Sequence, residues 1–265
     1  MSFGFIGTGN MGGALARAAA KSGTEVLLAN RTAAKAEALA AELGAQAVTN
    51  EEAARRADYL FLGVKPQMMA GMLSSIAPAL AARTDRFVLV SMAAGLSTGD
   101  IRRMAGGDYP VIRIMPNTPA AIGEGMILYT ATEDVTAEEL TTFLQGMSAA
   151  GRLAALEERL IDAGSAVSGC GPAFVDLFVE ALADGGVACG LPRATALELA
   201  AQMTAGSARL ILSSGQHPGV LKDQVCSPGG STIMGVKALE DGAFRSTVME
   251  AVMAAFEKTK ALGKS

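Results

Sequence analysis

The chain has 265 residues, half of them apolar and 18% charged, with a net charge of −4, one histidine and three cysteines. So apolar a chain can bury a sizeable core, which excludes intrinsic disorder, and its acidic balance argues against a dedicated nucleic-acid or anionic-membrane binder. A zinc site built on several imidazoles is excluded, Ser-His-Asp chemistry is left only to His217, and three cysteines make no disulfide framework; no metal is expected, and a reducing compartment is the default.

A strand is predicted at Phe3–Ile6, with no basic flank of the kind a targeting segment needs. A helix at Met11–Ser22, a strand at Glu25–Ala29 and an Ala/Glu/Leu-rich helix at Ala33–Leu43 follow. Tyr59–Val64 and Phe87–Met92 are continuous apolar runs, as expected of strands buried on both faces. Between and after them come helices at Met68–Leu80 and Ile101–Ala105, strands at Val111–Met115 and Met126–Thr130, a helix at Glu138–Ala149 and a last strand at Leu153–Leu156. Such alternation requires crossovers and therefore a mainly parallel, doubly wound sheet. After Glu158 the β signal stops. Leu160–Cys189, Ala194–Leu212, Ser231–Glu240 and Phe244–Leu262 read as helices, the first kinked by Pro172. The expected fold is an α/β Rossmann-type domain over residues 1–157 and an all-α domain over residues 158–265, too apolar for a free monomer surface and so a dimerisation domain. Asp162, Asp176, Glu180 and Asp184 in one long helix, and Glu198 and Arg209 in the next, argue against a membrane span. A soluble, cytoplasmic protein is expected.

The strongest local signal is Ile6-Gly7-Thr8-Gly9-Asn10-Met11-Gly12, a G-x-G-x-x-G between the first strand and the first helix. Its glycines permit a tight turn, close approach of a pyrophosphate and close strand–helix packing. The second strand ends in Asn30-Arg31-Thr32, where NAD binders usually carry an acid for the ribose hydroxyls. Arg31 instead suits a 2′-phosphate, so NADPH is favoured, with NADH left open as a second donor. Val64-Lys65-Pro66-Gln67, Ala93-Ala94-Gly95 and Asn117 end further strands on the same side; Asn117 either meets the cofactor or orders its own loop. Near the C-terminus, Ser227-Pro228-Gly229-Gly230-Ser231-Thr232 opens a helix with amides and hydroxyls and no cation, a turn suited to a carboxylate; the plainer alternative is an ordinary N-cap.

Across nearly its whole length the sequence resembles the pyrroline-5-carboxylate reductase family. The matching blocks include Gly7-Thr8-Gly9-Asn10-Met11, Asn30-Arg31-Thr32, Val64-Lys65-Pro66, Met115-Pro116-Asn117-Thr118-Pro119, Ser168-Gly169-Cys170-Gly171-Pro172, Ala183-Asp184-Gly185-Gly186, Leu221-Lys222-Asp223 and Ser227-Pro228-Gly229-Gly230 with Thr232. Cys170 departs from the serine usual there. The resemblance implies NAD(P)H-dependent reduction of 1-pyrroline-5-carboxylate to L-proline, the last step of proline biosynthesis, by an interlocked homodimer, with larger rings of dimers known in the family. It also implies that Ser227, Gly229, Gly230, Ser231 and Thr232 hold the substrate, that Thr232 stands beside the ring nitrogen, and that Glu158 and Gln224 lie near substrate and nicotinamide. Asn50 is implied near the adenine. A β-hydroxyacid dehydrogenase would need a lysine on the first long helix, and none occurs between Arg159 and Arg193. A non-catalytic NADP(H)-binding regulator would not need the turn at 227–232.

Overall fold

The computed structural model describes residues 1–262. Eight strands form one sheet in the order β3-β2-β1-β4-β5-β6-β7-β8. They are β1 (Ser2–Ile6), β2 (Glu25–Ala29), β3 (Gln46–Ala47), β4 (Tyr59–Leu62), β5 (Val88–Ser91), β6 (Val111–Met115), β7 (Gly125–Ala131) and β8 (Gly151–Ala155). The first six are parallel, β7 runs antiparallel to β6, and β8 is parallel to β7. The 3-2-1-4-5-6 order is that of a dinucleotide-binding sheet, with its switch point between β1 and β4. Helices α1 (Asn10–Lys21), α2 (Ala33–Leu43), α3 (Asn50–Arg56), α4 (Pro66–Ala81), α5 (Thr98–Ala105) and α6 (Ala137–Gly146) connect the strands.

Both faces of the sheet are covered, and alternate residues of one strand serve opposite faces. Phe3, Phe5, Tyr59, Phe61, Val88 and Val90 enter one core, while Ile6, Leu60, Leu62 and Leu89 enter the other. Phe5 stacks on Phe61 with ring centroids 4.3 Å apart. This two-faced burial is why the central strands read as unbroken apolar runs. The short β3 and α3 are absent from the sequence expectation: Gln46-Ala47 is too brief to show a period, and the Glu51, Glu52, Arg55 and Arg56 charges leave α3 a buried face of only Ala53 and Ala54.

After β8 come α7 (Glu158–Ser168), α8 (Gly171–Ala188), α9 (Arg193–Ser214), α10 (Pro218–Val225), α11 (Ser231–Asp241) and α12 (Phe244–Leu262). The expected single kinked helix at 160–189 is instead two helices, divided at Gly169-Cys170. Pro172 does not kink a helix; it occupies the second position of α8, where its missing N–H goes unneeded. The same proline leaves the carbonyl of Ser168 without an i+4 donor, and the Asn117 side-chain amide supplies one at 3.0 Å. The apolar run Glu158–Ala188 is long and apolar enough, by length and composition alone, to cross a membrane, but it folds as these two separate helices.

The contacts divide the chain into two compact units, Met1–Cys170 with the end of α12 from Ala255, and Gly171–Ala254. Within the first, α7 is fastened to the sheet. Arg113, 3% exposed in the middle of β6, donates to Asp162 at 2.5 Å and lies 3.8 Å from Glu158. Within the second, α8 packs along α9, and the buried apolar cluster is three alanines, Ala183, Ala196 and Ala200. Many of its large apolar side chains stay on the surface, Leu177 68% exposed and Leu212 72%, while Phe174 and Phe178 are half-buried.

Replacing Arg113 by methionine would leave Asp162 beside the middle of β6 without its cation, while Glu158 keeps its two hydrogen bonds from Thr98. A stability loss of about 1–3 kcal/mol in urea titration is expected, and a loss under about 0.5 kcal/mol would show the cluster to be dispensable.

Candidate functional site

The glycine-rich loop is shaped by backbone crowding. Gly7 has φ +103° and donates to Ala29 O at 2.8 Å, while Gly63, just past β4, donates to Ile6 O at 2.8 Å. A Cβ on Gly7 would lie 2.5 Å from Gly63 O, one on Gly63 2.7 Å from Gly7 O, and one on Gly12 2.1 Å from Gly7 O. No side chain fits at any of the three. Gly9 is different. Its φ of −70° is open to any residue, and a Cβ there would meet nothing within 4 Å. What glycine leaves at position 9 is space, over the N-terminus of a 12-residue helix with no side-chain cap and no acid in its first turn. Free amides and a positive helix end facing an open cradle fit a pyrophosphate. The Thr8 hydroxyl is a second sign, buried and without a partner.

Not every residue expected to bind the cofactor has a side chain free to do so. Ile6 is 1% exposed and belongs to the core, so only its backbone is near the loop. Asn30 braces the loop: its Oδ1 accepts from Thr8 N at 3.2 Å and its Nδ2 donates to Thr32 O at 3.1 Å. Asn117 is bound on both sides, donating to Ser168 O and accepting from Met126 N at 2.9 Å, which answers the choice at that position in favour of loop ordering. Asn10 and Met11 open α1, and Thr32 is the uncapped start of α2. Lys65 precedes α4 with Pro66 in its first turn and, like Gln67, is exposed, while Val64 is half-buried. After β5, Ala93 is buried, Ala94 half-buried, and Gly95 turns with φ +76°.

At the far side of β2, Arg31 and Asn50 share a cleft of about 510 Å³ with Glu37, Glu51, Glu52 and Ser75. Glu51 pairs with Arg55 at 2.6 Å. Glu52 closes a capping box with Thr49, whose backbone N–H and hydroxyl hold its carboxyl below the usual range. Arg31 is exposed and has no ion-pair partner among the described residues.

Glu158 is engaged within the first unit. Its two oxygens accept from Thr98 N at 2.7 Å and Thr98 Oγ1 at 3.0 Å. The expected substrate residue thus caps the start of α5, a role the sequence expectation missed together with Thr98, Arg113 and Asp162. The available signal was a lone arginine inside the apolar strand Val-Ile-Arg-Ile-Met. Gly63, also missed, was marked only by a glycine closing an apolar strand.

In the second unit, Gln224 lies on α10 and donates to Gln216 Oε1 at 3.2 Å. The turn before α11 is open. Gly229 has φ +71°, Gly230 is the N-cap, and no side chain caps the helix. Gly230 N donates to Ser227 O at 3.0 Å, closing the turn. Ser231 and Thr232 are exposed, with no acid in the first turn. The alternative of an ordinary side-chain N-cap is therefore not what this turn forms; its amides and the Thr232 hydroxyl are left for something else.

The sheet order, the cradle and the helical second unit define a dinucleotide-dependent oxidoreductase. Residues 2–95 match the family described as NADP oxidoreductase, coenzyme F420-dependent, and residues 158–262 match pyrroline-5-carboxylate reductase dimerisation. Pyrroline-5-carboxylate reductase of Escherichia coli is 41% identical, covering 99% of this chain and 98% of its own; that of Glycine max is 41% identical over 98% and 96%. The crystal structure of a Plasmodium falciparum pyrroline carboxylate reductase with NADP bound superposes with a TM-score of 0.88 at 34% identity, covering 99% of both chains. The chain belongs to the pyrroline-5-carboxylate reductase family.

Gly9→Ala should leave the thermal unfolding midpoint unchanged and weaken dinucleotide binding at least tenfold, whereas Gly12→Ala should destabilise the protein outright. Calorimetry and ligand titration on the two variants measure this. Equal stability losses would mean that position 9 is crowded by the chain itself.

Proposed function

We propose that the chain reduces 1-pyrroline-5-carboxylate to L-proline with NADPH, closing proline biosynthesis. Membership of the family supports the reaction, and the observation that carries the substrate assignment is the uncapped start of α11, with free amides and an unpartnered Thr232. A substrate with one carboxylate beside a ring nitrogen matches that pair of features. Ser227, Gly229, Gly230 and Ser231 would hold the carboxylate, and Thr232 the nitrogen. On the first unit the Gly7–Gly12 loop would hold the pyrophosphate, the turn at 93–95 would leave room for the nicotinamide ribose, Lys65 stands at the neighbouring strand end, and Arg31 would pair with the 2′-phosphate. A non-catalytic regulator has no use for the open turn.

When bound, the reduced nicotinamide supplies the hydride for the ring carbon of the imine. The chain's own work is orientation and exclusion of water, so few ionisable side chains are needed. Thr232 orients the nitrogen, and its proton comes from water, since an ordinary hydroxyl is a poor acid. Glu158, held by Thr98, acts in this reading through the position of α5 and α7, and Gln224 from α10. We take residues 1–157 and 158–265 as the functional domains, the second starting where the dimerisation match starts. The protein is read as a soluble cytoplasmic homodimer, able to build larger rings; charged residues inside α8 support the first part, and its surface apolar side chains the second.

Oxidation of NADPH by the purified protein should require pyrroline-5-carboxylate and yield proline; no turnover would remove the reading. Thr232→Val keeps the branched shape and removes the hydroxyl. It should lower kcat/KM by roughly tenfold to a hundredfold with NADPH binding intact, the range for one oriented hydrogen bond. In light scattering, dilute protein should remain at least dimeric, and a stable active monomer would dismiss the dimer.

A further inference from the structure

The cleft around Arg31 holds more negative charge than a phosphate site needs. Three carboxylates line it, and two are locally compensated: Glu51 by Arg55 at 2.6 Å, Glu52 by the Thr49 capping box. Glu37, on α2 six residues past Arg31, is exposed and has no hydrogen-bond or ion-pair partner among the described residues. The cleft therefore presents one free guanidinium and one free carboxylate.

We propose that Glu37 is a specificity-determining residue, a negative element that restrains NADPH binding at the Arg31 cleft and so keeps NADH usable as a second donor. The inference rests on the assignment of NADPH to this cleft. A cleft of about 510 Å³ is roughly 8 Å across by the cube root of its volume, within one Debye length of about 10 Å at 0.1 M salt, so a phosphate inside it lies within reach of the Glu37 charge. A 2′-phosphate carries about −1.5 to −2 charges at neutral pH, so a free carboxylate at that range opposes it by roughly threefold to tenfold in affinity. NADH has hydroxyls there and feels no such repulsion; a carboxylate can instead accept from a ribose hydroxyl.

The test is calorimetric titration of the full-length protein with NADP⁺ and NAD⁺, for wild type, Glu37→Gln and Arg31→Ala, at about 20 mM and about 500 mM salt. Glu37→Gln should bind NADP⁺ roughly threefold to tenfold more tightly at low salt, with the gain fading at high salt, and should bind NAD⁺ no more tightly than wild type. Unchanged NADP⁺ affinity, or equal tightening for both cofactors, overturns the role of Glu37. Arg31→Ala separates the two levels. If it weakens NADP⁺ while Glu37→Gln does nothing, the cleft assignment stands and Glu37 alone is overturned; if it leaves NADP⁺ untouched, the cleft assignment falls first and the proposal with it.

Discussion

The nucleotide-binding face depends on one close approach, the backbone crossing of Gly7 and Gly63 at the ends of β1 and β4. These are the strands at the switch point of the sheet, and here the backbones come close enough that a Cβ on either glycine would strike the other's carbonyl. Gly12 then lets the first turn of α1 sit on Gly7 O. The three contacts fix where the N-terminus of α1 points, and Asn30 braces the loop from the neighbouring strand. Position 9 is under no such pressure. Crowding below the loop and emptiness above it are the two halves of one cradle, and only the first is needed for folding.

A second set of ties fixes α7. Pro172 cannot donate to Ser168 O, and Asn117 answers it from the loop after β6. One turn into the same helix, Asp162 meets the buried Arg113, and at its start Glu158 caps Thr98. The helix that opens the dimerisation segment is thereby held by side chains from β6, from α5 and from the loop between β6 and β7. Each tie joins a group that has lost its ordinary partner to one that supplies a replacement. A buried guanidinium needs carboxylates, a proline-orphaned carbonyl needs an amide, and a helix start needs an acceptor.

These physical facts also explain what could be read in advance. β2, α2 and β6 were legible to the residue because an apolar period or run carried each of them. The glycine loop was legible because its spacing is itself the constraint. Asn117 was only half legible, since an asparagine between prolines can face a ligand or brace a loop, and the deciding partner, Ser168 O, lies 51 residues away. The tie of Glu158 to α5 was hidden for the same reason: its partner Thr98 is 60 residues distant and nothing local marks the pair. The division at 169–170 was hidden because a proline reads as a kink or as a helix start depending on which residues precede it, and Gly169-Cys170 decided for the start.

The residues near the chemistry sort by whether their hydrogen-bonding capacity is already engaged. Asn30, Asn117 and Glu158 have internal partners at 2.7–3.2 Å, and each is part of a brace. Thr232, Ser231, Arg31 and the amides over Gly9 have none among the described residues, although α1 and α11 are long enough for their dipoles to matter. A helix start left uncapped forgoes a stabilisation of about 1 kcal/mol that a serine or aspartate would provide. Both α1 and α11 begin on a glycine instead, and both sit where a ligand with a negative charge is expected. In α5, by contrast, the corresponding need is met from within the chain, by Ser97 and by Glu158. A missing cap alone does not mark such a seat, since α2, α4, α7 and α9 also lack a side-chain cap; what sets α1 and α11 apart from these four is a glycine N-cap, and the proposed reaction asks for two anion seats of that kind.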